Sequence, residues 1–168
     1  MLAPQAVQAQ PVVNPDAYTS VDPSTLQSSR YWPQRAADPE RHLEVTADFD
    51  DDGHVDLARL MISARNPQSI VLVVTLSSKP ATTMLAQNHA GNLPRMGIEG
   101  VRPGRYGLAC NGDGRSETSC GEVRVRGAGL RMFAYGADSV LFRWNGRGFS
   151  SHVLPRNQRS SAGGPRSR

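Results

Sequence analysis

The stretch Asp48-Phe49-Asp50-Asp51-Asp52-Gly53-His54-Val55-Asp56 gathers more charge at fixed spacing than any other part of the chain. It constrains the fold first, because side chains at every second residue of a tight loop turn inward while those between them turn out. Asp48, Asp50, Asp52 and Asp56 then supply the hard carboxylate oxygens that calcium prefers, the backbone carbonyl of His54 completes the set, and Gly53 allows the sharp turn. Phe49 and Asp51 point away, which leaves Asp51 with no ligand role. An EF-hand loop would carry a bidentate Glu at its twelfth position, which here is Arg59, so that class is excluded. Leu43-Glu44-Val45-Thr46-Ala47 and Leu57-Ala58-Arg59-Leu60-Met61-Ile62 instead predict strands on either side, with a short helix as the alternative after the loop. Acidic, glycine-containing runs are also common in solvated turns, so an ordinary acidic turn is the competing reading. The strict register of the four acids favours calcium. A structural clamp is favoured over a regulatory site, since a metal site absent from the unfolded chain adds to folding stability.

Residues 47–58 resemble the D-x-[DN]-x-D-G-x-x-D-L-A signature of the FG-GAP/VCBS repeats, which occur in integrin-type propellers and in many bacterial secreted proteins. The resemblance implies side-chain ligation at the first, third, fifth and ninth positions and carbonyl ligation at the seventh, which fall on Asp48, Asp50, Asp52, Asp56 and His54. Asp51 departs from the pattern, where Gly is common, and raises repulsion in the metal-free loop without removing a ligand. Trp144-Asn145-Gly146-Arg147-Gly148-Phe149 is similar to the closing W-[ND]-G-x-x-F hairpin of small single-repeat bacterial members. Together the likeness covers roughly residues 43–154. One repeat in 168 residues leaves no room for a monomeric propeller.

The remainder of the chain reads as short strands between turns. Sixteen glycines and twelve prolines lower the expected helix content. Ala58, Leu60, Ile62 and Ala64 alternate with polar neighbours as in a half-buried strand, and Ile70-Val71-Leu72-Val73-Val74 is apolar on both faces, as in a central strand covered on each side. Further strands are predicted near 105–110, 122–126, 130–135, 140–144 and 149–154, with Asn145-Gly146 a two-residue hairpin signal. The expectation is an all-β antiparallel meander of about eight strands, blade-like or a sandwich or open barrel, with the calcium loop between the first two strands. Residues 1–40 are expected to be a flexible segment, within which Tyr31-Trp32 docks on the domain. The β domain spans 41–154 and a disordered tail 155–168.

Cys110 and Cys120 are the only cysteines, so one pairing exists. In an exported protein they form a disulfide across a β-hairpin; in the cytosol they would be two free thiols. The family resemblance implies a Cys pair in this place. Between them, Asn111, Asp113, Gly114 and Glu117 match later positions of the calcium template, but the first position is Ala109, and an ordinary turn is the favoured reading.

Function is bounded mainly by exclusion. The tail arginines Arg156, Arg159, Arg166 and Arg168 account for the whole net charge of +4, so no basic face for nucleic acid is expected. No run is long enough for a membrane span. Val7-Gln8-Ala9 resembles a signal-peptidase site without the charged and apolar regions that precede one, which reads as a remnant of an export leader and places the protein in the periplasm or outside the cell. No Gly-x-Ser-x-Gly, His-Glu-x-x-His or phosphate-cradling loop occurs, and His42, His54, His89 and His152 are scattered, so no enzyme is expected. The sequence therefore points to an exported calcium-stabilised module that binds an unidentified protein or ligand. The alternative is a small structural or inhibitor-like protein with incidental calcium.

Overall fold

The computed structural model describes residues 10–40, 42–110, 119–137 and 139–155. They form twelve strands: β1 Val12–Val13, β2 Tyr18–Ser20, β3 Glu44–Ala47, β4 Asp56–Ser63, β5 Ser69–Leu76, β6 Lys79–His89, β7 Met96–Val101, β8 Gly104–Ala109, β9 Ser119–Val125, β10 Gly129–Ala134, β11 Ser139–Trp144 and β12 Phe149–Leu154. Every pairing is antiparallel. The first sheet runs β1-β6-β5-β4-β2 with β3 also on β4, the second runs β12-β11-β10-β7, and β8 and β9 form a hairpin. The all-β antiparallel expectation holds, with twelve strands in place of about eight. The acid loop joins β3 to β4, not the first two strands, because β1 and β2 come earlier. Residues 56–63 are strand, which removes the helical alternative.

Alternation dictates what each face buries. Ala58, Leu60, Ile70, Leu72, Val74 and Leu76 face the main core, where they meet Ile98, Leu130, Phe142 and Phe149 of the second sheet. One core shared by two sheets makes this a sandwich, not a blade. On the opposite face of the first sheet, Met61, Val71 and Val73 form a separate cluster. β5 is therefore covered on both sides, as its unbroken apolar run requires. A third cluster lies outside the second sheet, where Tyr106, Val123 and Val125 of the β8–β9 hairpin cover Val101, Leu141 and Leu154.

The cover over Met61, Val71 and Val73 comes from the segment expected to be flexible. Val13 of β1 and Tyr18 of β2 both pack there, although β1 and β2 lie on opposite edges of the sheet. In a flat sheet these edges would be four strand spacings apart, about 19 Å. Register adds a displacement along the strands, because Val13 aligns through Thr82 and Thr75 with Leu57, whereas Tyr18 pairs with Ser63. Five residues reach at most about 18 Å fully extended, and Pro15–Ala17 is a compact 3₁₀ turn. The sheet must therefore curl so that its edges approach. Irregular pairing between β5 and β6 at Leu72/Val73 and Thr75/Leu76 supplies the bend.

The strap has a second anchor. The Gln10 side-chain amide donates to Phe149 O at 3.1 Å and accepts from Phe149 N at 3.2 Å, which joins it to β12 of the other sheet. Residues 10–40, expected from the sequence to be flexible, carry strands, 3₁₀ turns and packed side chains. Short polar pairings carry no periodicity of their own, and only the curled sheet gives them a place. Tyr31 stacks on Tyr135 at 5.7 Å and Trp32 packs on the main core, the docking expected of that pair. Residues 1–9 and 156–168 lie outside the described residues, so the stretch read as a leader remnant and the basic run of the tail do too.

The turn after Trp144 differs in detail from a two-residue hairpin. Trp144 pairs with Phe149, so residues 145–148 form a four-residue loop. Asn145 Oδ1 accepts from the amides of Arg147 and Gly148, and Gly146 takes φ 95°, a left-handed value open to glycine.

Candidate metal centre

β3 delivers the chain into the acid loop and β4 receives it at Asp56. The loop folds around its own carboxylates. Asp48 Oδ1 accepts from Asp52 N at 3.1 Å and Asp48 Oδ2 from Gly53 N at 2.8 Å. Asp51 and Gly53 take positive φ, 62° and 87°, and these two left-handed residues reverse the chain within a few bonds. Between them, Asp52 Oδ1 accepts from His54 N.

Asp56 is the anchor. It is 1% exposed, and its two oxygens accept from Phe49 N and Ser77 N, both at 2.8 Å. Phe49 is itself 1% exposed and enters the main core while Asp51 is exposed, so neither joins the carboxylate cluster, but strict alternation does not run through the loop, because Asp52 stays outside the set. Asp50 Oδ2 accepts from Ser78 Oγ at 2.6 Å. Its other oxygen, Oδ1, is buried and accepts no hydrogen bond among the described residues. From the approach to β10, Ala128 N donates to Asp48 O at 3.1 Å.

Carboxylate oxygens of Asp48, Asp50 and Asp56 thereby come within 4.8 Å of one another. At such a separation two unit charges repel by on the order of 3 kcal/mol at an effective dielectric constant near 20, before solvent screening. The fold thus holds three mutually repelling carboxylates together, and one oxygen of Asp50 is buried and without a hydrogen-bond partner among the described residues. This is the donor chemistry that a calcium or magnesium ion requires. Of the five ligands read from the sequence, three are brought together as side chains. Asp52 lies outside this set on the exposed rim, with one oxygen used to cap His54, and His54 is exposed.

Ser77, Ser78 and Ala128 also build the site, and sequence reasoning missed all three. No local signal marks them, because each reaches the loop only through the β5–β6 turn or the approach to β10.

Cys110 and Cys120 are joined in a disulfide with Cα atoms 4.9 Å apart, near the pairing of Ala109 with Ser119 in the β8–β9 hairpin. A cross-link closing a ten-residue loop contributes on the order of 2–3 kcal/mol in the chain-entropy account. Asn111, Asp113, Gly114 and Glu117, the partial second calcium template, lie outside the described residues. The disulfide fits a compartment other than the cytosol. No helix among the described residues is long and apolar enough to cross a membrane.

Comparison with protein-family models, with curated proteins and with solved structures finds no match to this chain.

Proposed function

We propose that this protein is an exported β domain of the FG-GAP/VCBS type, acting in the periplasm or outside the cell, whose acid loop binds calcium and whose surface serves as a binding module. One observation carries the reading. Asp48, Asp50 and Asp56 converge within 4.8 Å while Asp50 Oδ1 is buried without a partner among the described residues. A bound cation would offset the repulsion and satisfy that oxygen at once. Asp48, Asp50 and Asp56 would hold it, and Asp52 and His54 in the same loop are the further oxygen donors the reading draws on. Calcium is favoured over magnesium because a flexible loop rich in carboxylates suits its larger coordination sphere, whereas magnesium demands near-ideal octahedral geometry and gives up water reluctantly. The ion's role is structural. Binding only the folded chain, it stabilises by about 2.7 kcal/mol at a hundredfold excess over Kd.

Thermal unfolding in chelator, in calcium and in magnesium tests the reading. Calcium should raise Tm by several degrees, magnesium much less, and Asp48→Ala should abolish the response. An unchanged Tm in calcium, or an Asp48→Ala variant with the full response, refutes it.

A further inference from the structure

The chain leaves the second sheet at Val101 and rejoins it at Gly129, and these two residues are partners in the β7–β10 ladder. Strands β8 and β9 lie between them and pair with each other and, among the described residues, with no other strand. The hairpin is thus an excursion from a single rung, folded over the outer face of the sheet. We propose that it is a redox-latched flap: β8 and β9 open as a unit about residues 102–103 and 126–128, and reduction of the Cys110–Cys120 disulfide by a dithiol releases them and uncovers the apolar face that they cover.

Topology permits the motion. Opening breaks no pairing within the two larger sheets, because the β7–β10 ladder closes beneath the flap at Val101 and Gly129. The returning hinge is fixed from outside, where Ala128 N donates to Asp48 O at 3.1 Å. The grip on the sheet is small. Tyr106, Val123 and Val125 cover Val101, Leu141 and Leu154, with half-buried Leu108 beside them, and Arg143 Nη1 of β11 donates to Arg124 O at a long 3.3 Å. Gly129 lets the flap lie flush, since a Cβ built there would stand 2.6 Å from Val101 Cγ2 and 3.2 Å from Val125 Cγ1. Ile98, Leu130 and Phe142 of the same sheet enter the main core instead, so the flap takes no part in joining the two sheets.

The disulfide acts where the two strands hold each other least. A two-stranded sheet is marginal on its own in water. Pairing loses register between Gly107 and Ala109, and Gly121 takes φ 136°, a backbone conformation that side chains disfavour. Arg105 and Glu122 form an exposed pair at 3.5 Å, which contributes little. Cys120, Gly121 and Glu122 are all exposed, so burial is concentrated toward the hinge and the cross-link holds the far end.

Exposure also opens Cys120 to a thiolate. Attack breaks the S–S bond and forms a mixed disulfide; the second thiol of the reagent then displaces the protein sulfur, which leaves two protein thiols and the cyclic disulfide of the reagent, a transfer of two electrons. The unzipped strands then gain the chain freedom that the cross-link denied them. For the ten-residue separation of the two cysteines, the open population should rise about 30-fold to 150-fold.

The test keeps the whole folded protein under native conditions, with and without dithiothreitol, and follows amide hydrogen exchange by NMR and the fluorescence of a dye that binds exposed apolar surface. Hydrogen-bonded amides of residues 104–107 and 122–125 should exchange about 30-fold to 150-fold faster once reduced, the Val74 amide should be unchanged, and dye fluorescence should rise. Val123→Ala, with the disulfide intact, should speed exchange of the same flap amides on the order of tenfold and leave Val74 as it was. Equal acceleration at the flap and at Val74, by reduction or by Val123→Ala, would show that the hairpin does not open as a unit and overturns the proposal. A disulfide that resists reduction in the folded protein, or flap amides that do not respond to its loss, shows that it is no latch. Faster flap exchange with no dye response means that the face stays covered, and that too overturns it.

Discussion

Asp56→Ala should destabilise the protein even when no metal is available, which separates its role from that of Asp48. The buried carboxylate of Asp56 accepts from Phe49 N in a buried bond and from Ser77 N in a partly buried one. Loss of the first removes a hydrogen bond to a charged group and leaves a buried amide without an acceptor, a cost of about 2–3 kcal/mol; water can partly replace the second, for about 1 kcal/mol. Truncation also relieves repulsion with Asp48 and Asp50, and screening at these half-exposed carboxylates limits that gain to about 1 kcal/mol. The net loss is about 2–3 kcal/mol, a large share of a typical stability of about 5–15 kcal/mol. It corresponds to a fall in Tm of roughly 6–9 °C for a domain of this size. The amides held by Asp48 belong to exposed Asp52 and Gly53, so Asp48→Ala relieves the same repulsion and loses little. In chelator it should melt within about 1 kcal/mol of wild type, on the stabilised side. The assay is calorimetric or circular-dichroism melting of oxidised protein in excess chelator. An Asp56→Ala Tm within about 2 °C of wild type, or equal losses from the two variants, would refute the reasoning.

The strap and the perturbed His152 allow two further tests. Gln10→Ala removes both bonds to Phe149, so it should cost about 1–2 kcal/mol and expose the Phe149 amide to hydrogen exchange, while the Val74 amide in central β5 stays protected; equal loss of protection at both amides would show that the strap does not act locally. The His152 ring is pushed below its ordinary value of 6.5 by burial and then by the Arg143 guanidinium, so it remains neutral in the fold at pH values where the unfolded chain takes up a proton. Its contribution to stability is therefore present above pH 6.5 and is lost as pH falls from there toward the lowered folded value; His152→Gln should flatten that part of the stability profile, and an unchanged slope counts against it.

What could be read from the sequence followed from periodicity, and what could not depended on distant partners. The five-residue apolar run 70–74 announces a strand covered on two faces, and Ile70, Leu72 and Val74 enter one cluster while Val71 and Val73 enter another. The acid loop was legible in part: Asp48, Asp50 and Asp56 converge, but Phe49 is buried and Asp51 exposed although alternation puts the two on the same side. Alternation does not fix where a fourth carboxylate lands once the chain turns left-handed at Asp51 and Gly53, and Asp52 departs from the set there. β1 and β2 are too short to show a period, and their pairing exists only because β5 and β6 bend. Arg35 shows the same limit. Composition places an arginine at the surface, yet this one is 1% exposed, donates to the Met96 carbonyl and lies against the Tyr135 ring at 5.8 Å. Burial holds its pKa below the usual arginine value. Only the docking of residues 31–36 on the second sheet makes such a position possible.

The contacts of the acid loop also alter what a bound ion would do. The sequence suggests a clamp on the two flanking strands, but Asp50 and Asp56 hold Ser78 and Ser77 of the β5–β6 turn, and Asp48 O holds Ala128 N at the approach to β10. Phe49, between two of these acids, is buried in the core shared by both sheets. Drawing the three carboxylates together therefore tightens a junction of three chain segments, not one hairpin. Gly127 shows how closely they meet: a Cβ built there would lie 3.2 Å from Asp51 Cβ and 3.4 Å from Asp48 O, so even a methyl group would press on the loop.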